Sequence, residues 1–446
     1  MRQAIIDVAG EFVALKQGGS SRELRHQWLV FYISLAFHQV DSQTAFSSFL
    51  EPQDFRPFGN WFFKKPESIG KEVARHLKDL SKHGFTDFVV HQGRTKRWRL
   101  NLSPEAISFV PSRERCEAWL RQQQWDLLGG LEEVPRRILG WISCMTRALI
   151  RLQEGRIEDG LDLIRLAQQE NAGSLMLGAI AELVGLRLYA RHGEYPDPED
   201  WKYLDKCEGS IGKTLSIRAS FAQALAPDFE NIEKSVENLR RLTSRLQSLP
   251  DINGLGIAYN AMGVLFRRGE KPGWAQKCLR YAIALLIASF DLPTLQAALF
   301  NLGHALYKEA SSEEELKEAL QLIGLDREIC YSLGIGKDSA QAEVVAGAIC
   351  LTRGDVPGAW HWLQKGQEIV RILNSDYNRA EIARLQARIL WVRAWQEHPG
   401  VPKNKALILA KYGEGLDLML RAGFPPNEIE DEMSWVRRGE EPDWAR

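Results

Sequence analysis

The stretch Gly256-Ile257-Ala258-Tyr259-Asn260-Ala261-Met262-Gly263-Val264-Leu265-Phe266, then Arg268-Gly269-Glu270-Lys271 and the run Trp274 to Ala288, decides how the larger part of this chain folds. Apolar residues recur with helical periodicity on both sides of the turn. Small residues fill the first segment, so two antiparallel helices can approach closely there. Gly269 suits the left-handed conformation that often ends a helix. The same grammar runs from Ile138 to Gln153, through Glu154-Gly155-Arg156, and on from Ile157 to Gln169. It returns from Ala340 to Thr352, through Arg353-Gly354-Asp355, and on from Pro357 to Leu373. Turn glycines at Gly155, Gly193, Gly269 and Gly354 mark units of roughly 38–45 residues, which is how a helical-repeat array reads. About six or seven helix pairs are expected across residues 135–425.

Such an array carries no chemistry by default. Each pair buries its apolar face against its neighbours, and the stack curves into a surface for another chain. The expected partner-binding residues lie on first helices: Tyr259, Asn260, Asn301 and His304. There the Asn side chains could hold an extended backbone, or they could simply cap or pack locally. Trp391 and Trp395 are four apart and share a helix face, which reads as packing. Trp360 and Trp362 are two apart, so at most one points at the core, and Trp362 is a candidate ligand-facing ring.

The small-residue core between Tyr259 and Phe266 and the Ala275-x-x-x-Leu279 start of the following helix resemble tetratricopeptide repeats. The resemblance covers residues 135–425 and is divergent, since the usual unit is about 34 residues. It implies an α-solenoid that binds a protein or effector partner.

Residues 1 to about 110 follow a different grammar, ended by Pro104 and Pro111. Ile5 to Leu15, with Gly10 inside, reads as a small β-hairpin. Leu24 to Phe37 is apolar nearly all round and reads as a buried helix. A second helix starts at Asp41, and an aromatic, Pro-rich connection runs from Glu51 to Pro66. Ser68 caps a helix over Ile69 to Lys82 that Gly84 ends. One stripe of that helix is apolar: Ile69, Val73, Leu77 and Leu80. A second stripe is cationic: Lys71, Arg75, Lys78 and Lys82. Two strands, near 85–91 and 96–101, then flank a turn at Gly93, with Arg94, Lys96 and Arg97 at the tip and in the return strand.

This order resembles the winged helix-turn-helix output domains of response regulators and the amino-terminal domains of Streptomyces antibiotic regulatory proteins. In the latter family, tetratricopeptide-like helices follow the winged helix. The resemblance implies a DNA-binding face made of Lys71, Arg75, Lys78, Lys82, Arg94, Lys96 and Arg97. Charge agrees with it: Arg56 to Leu100 holds eleven basic and four acidic residues, net +7, which leaves −8 for the rest of a chain of net charge −1. The long Glu51 to Pro66 connection departs from the pattern.

The expected architecture is therefore mainly α. A winged-helix domain occupies 1–105, a connecting segment 106–134, a tetratricopeptide-like α-solenoid 135–425 and a C-terminal tail 426–446. Composition is that of an ordinary globular protein, with 45% hydrophobic and 26% charged residues among 446. Six cysteines without a C-x-x-C pair read as buried thiols of a reducing compartment. Met1 to Asp7 does not read as a secretion signal, so a cytoplasmic location is expected.

Catalytic and nucleotide motifs fail on inspection. Gly212-Lys213-Thr214 ends like a phosphate loop, but Cys207 replaces its first glycine and no apolar strand precedes it. The nine histidines include no H-E-x-x-H. No enzyme activity, cofactor or metal is expected. The expected function is a cytoplasmic DNA-binding transcriptional regulator whose repeats bind a protein or effector, with oligomers possible. The alternative is a non-catalytic adaptor or scaffold in a bacterial defence or signalling complex, using both parts for protein contacts.

Overall fold

The computed structural model describes residues 5–7, 14–17, 20–24, 26–36, 50, 55, 58, 69–85, 89–92, 97–100, 107–108, 141, 144–145, 147–148, 151, 157–169, 174–192, 206, 232–247, 251–289, 291–333, 336–373, 375–397, 404–423 and 426–440. It is mainly helical. Packing divides the chain into two compact units, Met1–Asn301 and Leu302–Arg446.

The first unit opens with a small sheet ordered β3-β2-β1-β6, built from β1 (Ile5–Asp7), β2 (Ala14–Gln17), β3 (Ser20–Glu23) and β6 (Ile107–Ser108). β1 pairs antiparallel with β2 and parallel with β6, so the end of the N-terminal region returns to its start. Helix α1 (His26–Ala36) is buried along Trp28 to Leu35, as its almost wholly apolar surface requires, and the one polar residue of that run, Ser34, donates its hydroxyl to the Val30 carbonyl at 2.7 Å. Helix α2 (Ile69–Lys82) buries Ile69, Val73 and Leu80, while Leu77 is only half-buried. A hairpin of β4 (Val89–Gln92) and β5 (Arg97–Leu100) follows, in the register His91 to Trp98. Trp98 also exchanges two backbone hydrogen bonds with Leu50, at 2.8 and 3.0 Å. Its buried ring meets Phe31 and Phe55, so one aromatic cluster ties the hairpin to α1.

Between the N-terminal region and the regular repeats, the described residues include helices α3 (Ile157–Gln169), α4 (Leu175–His192) and α5 (Ile232–Gln247). Helices α3 and α4 share a core with Trp141, Met145 and Ala148. The Gly256 to Ala288 stretch lies in α6 (Ile252–Arg268) and α7 (Pro272–Ser289), and α6 is capped by Asp251, whose carboxylate accepts from the Gly254 amide at 2.9 Å. Helix α1 packs against α7, and Phe58 meets Tyr281 edge to face at 5.3 Å. Within this unit the N-terminal region and the helical repeats therefore share a packed interface.

Helix α8 (Leu292–Glu309) runs through the boundary between the units. The second unit continues with α9 (Glu313–Leu333), α10 (Gly336–Thr352), α11 (Val356–Val370), α12 (Asp376–Glu397), α13 (Lys405–Arg421) and α14 (Asn427–Arg438). First helices begin at Ile252, Leu292, Gly336 and Asp376, which is the period of about 40 residues that the glycine turns announced. The twelfth residue of each is Gly263, Gly303, Gly347 or Ala387. A Cβ on Gly263 would come within 2.5 Å of Leu279, and one on Gly303 within 2.9 Å of Ile323. Those contacts are the close helix approach that the small residues imply. The mainly helical expectation, with helix-pair repeats, is met.

Candidate functional site

Two surfaces stand out: the cationic face of α2 and a groove among α11, α12 and α13. On α2, Lys71, Arg75, Lys78 and Lys82 are all exposed, and none forms an ion pair with a described residue. Asp79 is occupied from the other side by Arg22 of β3, at 2.6 Å. Arg97 is exposed on β5, while Arg94 and Lys96 lie outside the described residues. The face opposite the cations carries His76, stacked on Trp28. Burial first, then the Arg22 charge, pushes His76 down to about 4, although Asp79 pulls the other way.

The expected partner-binding residues fare differently. Tyr259 is a correction: only 6% of it is exposed, so it cannot line a groove. It meets Tyr281 at 5.5 Å and accepts a hydrogen bond from Gln247 at 3.1 Å. The small residues around it let the helices close over the ring. Asn260 and Asn301 are half-buried, and Asn301 Nδ2 donates to Asn260 Oδ1 across 3.2 Å. They satisfy each other, as local packing would have them do. His304 is half-buried and stacks on Tyr307. Trp362 is half-buried with Arg327 over its ring at 5.1 Å, so a residue of the same chain already meets it.

The groove was not foreseen from the sequence. It holds about 860 Å³ between α11 and α13. The first half of α12 forms its floor with Ile382 and Ala383, and Val370 and Leu418 extend the apolar surface. Its charged lining is Arg371, Arg379, Lys411 and Arg421 against Glu414 and Asp417. Lys411 pairs with Glu414 at 2.8 Å, while Arg379 and Arg421 share the more distant Asp376, each at 3.6 Å. Arg371 is exposed and forms no ion pair with a described residue.

Among the described residues, no group of three or more His, Cys, Asp or Glu could hold a metal ion. No described helix is long and apolar enough to cross a membrane. Burial pushes Cys278 up to about 12 and Cys350 up to about 11, which keeps both thiols protonated and poor nucleophiles.

No protein-family model matches the chain, and no curated protein matches it. A solved structure is similar: a signal transduction ATPase with numerous domains (STAND) protein with a tetratricopeptide repeat sensor from Pyrococcus horikoshii. The likeness has a TM-score of 0.43 at 12% identity and covers 93% of this chain. This chain spans 65% of that protein's length.

Proposed function

We propose that this chain is a non-catalytic adaptor that binds a protein partner through its helical repeats. The observation that carries the reading is the run of helix pairs from Ile252 to Arg421, repeating every 40 or so residues with small residues at the same helix position. Repeats of this kind present wide lateral surfaces made from many helices, which suits recognition of a polypeptide. The test is capture from native cells with the full chain, read by mass spectrometry. A stoichiometric protein partner that survives nuclease treatment is the expected result. Recovery of nucleic acid alone would overturn it.

A second reading rests on the free cationic face of α2. Sheet, buried helix, cationic helix and hairpin occur in the order of a winged helix, and α1, not the cationic face of α2, packs on the repeats. On this reading the N-terminal region is a winged helix and the chain is a regulator. Lys71, Arg75, Lys78 and Lys82 would contact phosphates, with Arg75 able to make a bidentate contact to guanine. Sequencing of nucleic acid co-purified with the full chain distinguishes the two.

A further inference from the structure

We infer that the groove between α11 and α13 receives an acidic segment of a partner polypeptide, anchored by an aromatic side chain. The inference rests on the adaptor reading and names the site and the chemistry of the partner.

The groove has a counterpart one repeat earlier, among α9, α10 and α11. The two are aligned by equivalent contacts. Gly366 of α11 lies against Glu343 of α10, and Gly415 of α13 lies against Ala383 of α12; a Cβ on each glycine would be 3.5 and 3.7 Å from those residues. In the earlier position the space is filled. Glu343 is fully buried and accepts from Arg327 at 2.7 Å and from the Tyr331 hydroxyl at 3.3 Å. The Arg327 guanidinium lies over both Trp362 and Tyr331, at 5.1 and 4.8 Å. A carboxylate, a guanidinium and aromatic rings thus make one plug.

One repeat later each part of the plug is replaced. In register, Glu343 becomes Ala383, Arg327 becomes Gln367, Trp362 becomes Lys411 and Tyr331 becomes Arg371. The carboxylate, the Arg327 guanidinium and both rings are gone, and two cations stand in register with the two rings. The groove is what remains: a small apolar floor with a cationic rim. Lys411 and Arg371 already supply the cationic part, so the components still missing are an anion and an aromatic ring. A partner that supplied a carboxylate beside an aromatic residue would restore to this groove the contacts that its neighbour makes internally. The four cations of the lining outnumber its two acids, so charge favours the same occupant.

The test uses display of random dodecapeptides selected on the full chain. Counter-selection uses a variant carrying the plug of the preceding repeat, Gln367→Arg with Ala383→Glu and Lys411→Trp. Enriched peptides should combine Asp or Glu with Trp, Phe or Tyr, and should be lost on the plugged chain. Arg371→Glu changes only an exposed side chain, so folding is not at stake, and it should weaken a selected peptide roughly tenfold. Enrichment of basic peptides, no enrichment, or equal binding to the wild-type and Arg371→Glu chains would overturn the inference. The adaptor reading would then stand or fall on the capture experiment alone.

Discussion

His76 stacks face to face on Trp28, with ring centroids 3.7 Å apart and planes 5° apart. The contact joins α1 to α2 directly beneath the cationic face. Its imidazole titrates near 4 rather than at its ordinary 6.5, because burial and then Arg22 oppose the charged form. The unfolded chain therefore binds more protons than the folded chain between those values. Stability should fall as pH drops through that window and should be insensitive to this group above it. A denaturation series from about pH 7 to pH 4 checks this, because His76→Gln should flatten the slope.

Glu432 makes the opposite kind of anchor. It is 2% exposed and accepts from Arg384 Nε at 2.9 Å and Arg388 Nε at 3.0 Å, fastening α14 to α12. Burial alone would raise its pKa, but the two guanidinium groups hold it down to about 2. A depressed carboxylate stabilises the fold above its ordinary value of 4.5 and loses that contribution as pH falls toward 2. Glu432→Ala leaves the buried Arg384 and the half-buried Arg388 without this partner and should cost about 3–5 kcal/mol by urea denaturation.

The close approach at Gly263 predicts a packing penalty. A methyl group there meets Leu279 at 2.5 Å, in a pair of helices whose facing residues are almost all buried. Gly263→Ala gains helix propensity but overpacks the contact, so a net loss of about 1–3 kcal/mol is expected. Gly273→Ala is the control: nothing lies within 4 Å of its Cβ, and an exposed Gly to Ala change in a helix should stabilise by up to about 1 kcal/mol. Equal effects in the two variants would refute the packing account.

Asn260 and Asn301 bind each other, so removing both should not reach a partner. The double change Asn260→Ala and Asn301→Ala should leave capture intact and lower stability by only about 1 kcal/mol. Loss of capture in a variant that still unfolds cooperatively would return the grip to that face.

The cationic stripe gives a separate test of the second reading. Lys71, Arg75 and Lys78 are exposed, so replacing all three by Ala should leave the fold unchanged. If the chain binds DNA through them, retention on genomic fragments at ~0.1 M salt should disappear, and each lost phosphate contact should lower the salt slope by ~1. Unchanged retention would remove these residues from any DNA interface.

Local elements are written in short stretches of chain. The helix from Ile69 to Lys82, the place of the turn at Gly269 and the period of about 40 residues were legible because turn residues and 3.6-residue periodicity are short-range properties. The conformation of that turn was not: Gly269 has φ −84°, and the left-handed residue is Glu270 at φ 53°. The cationic stripe of α2 was legible for the same reason, since one helical turn fixes which residues share a face. What occupies the space between helices was decided only by tertiary packing. Tyr259 looks like a surface aromatic in one dimension but is closed off by Tyr281 from the next helix. The groove exists because Ala383 stands where Glu343 stands one repeat earlier, a difference of 40 positions that acquires meaning only when α11 and α13 are seen on either side of α12. Periodicity assigns a side chain to a face of its own helix. It does not say which helix, guanidinium or empty volume that face will meet, because those distances are set by chain segments far apart in sequence.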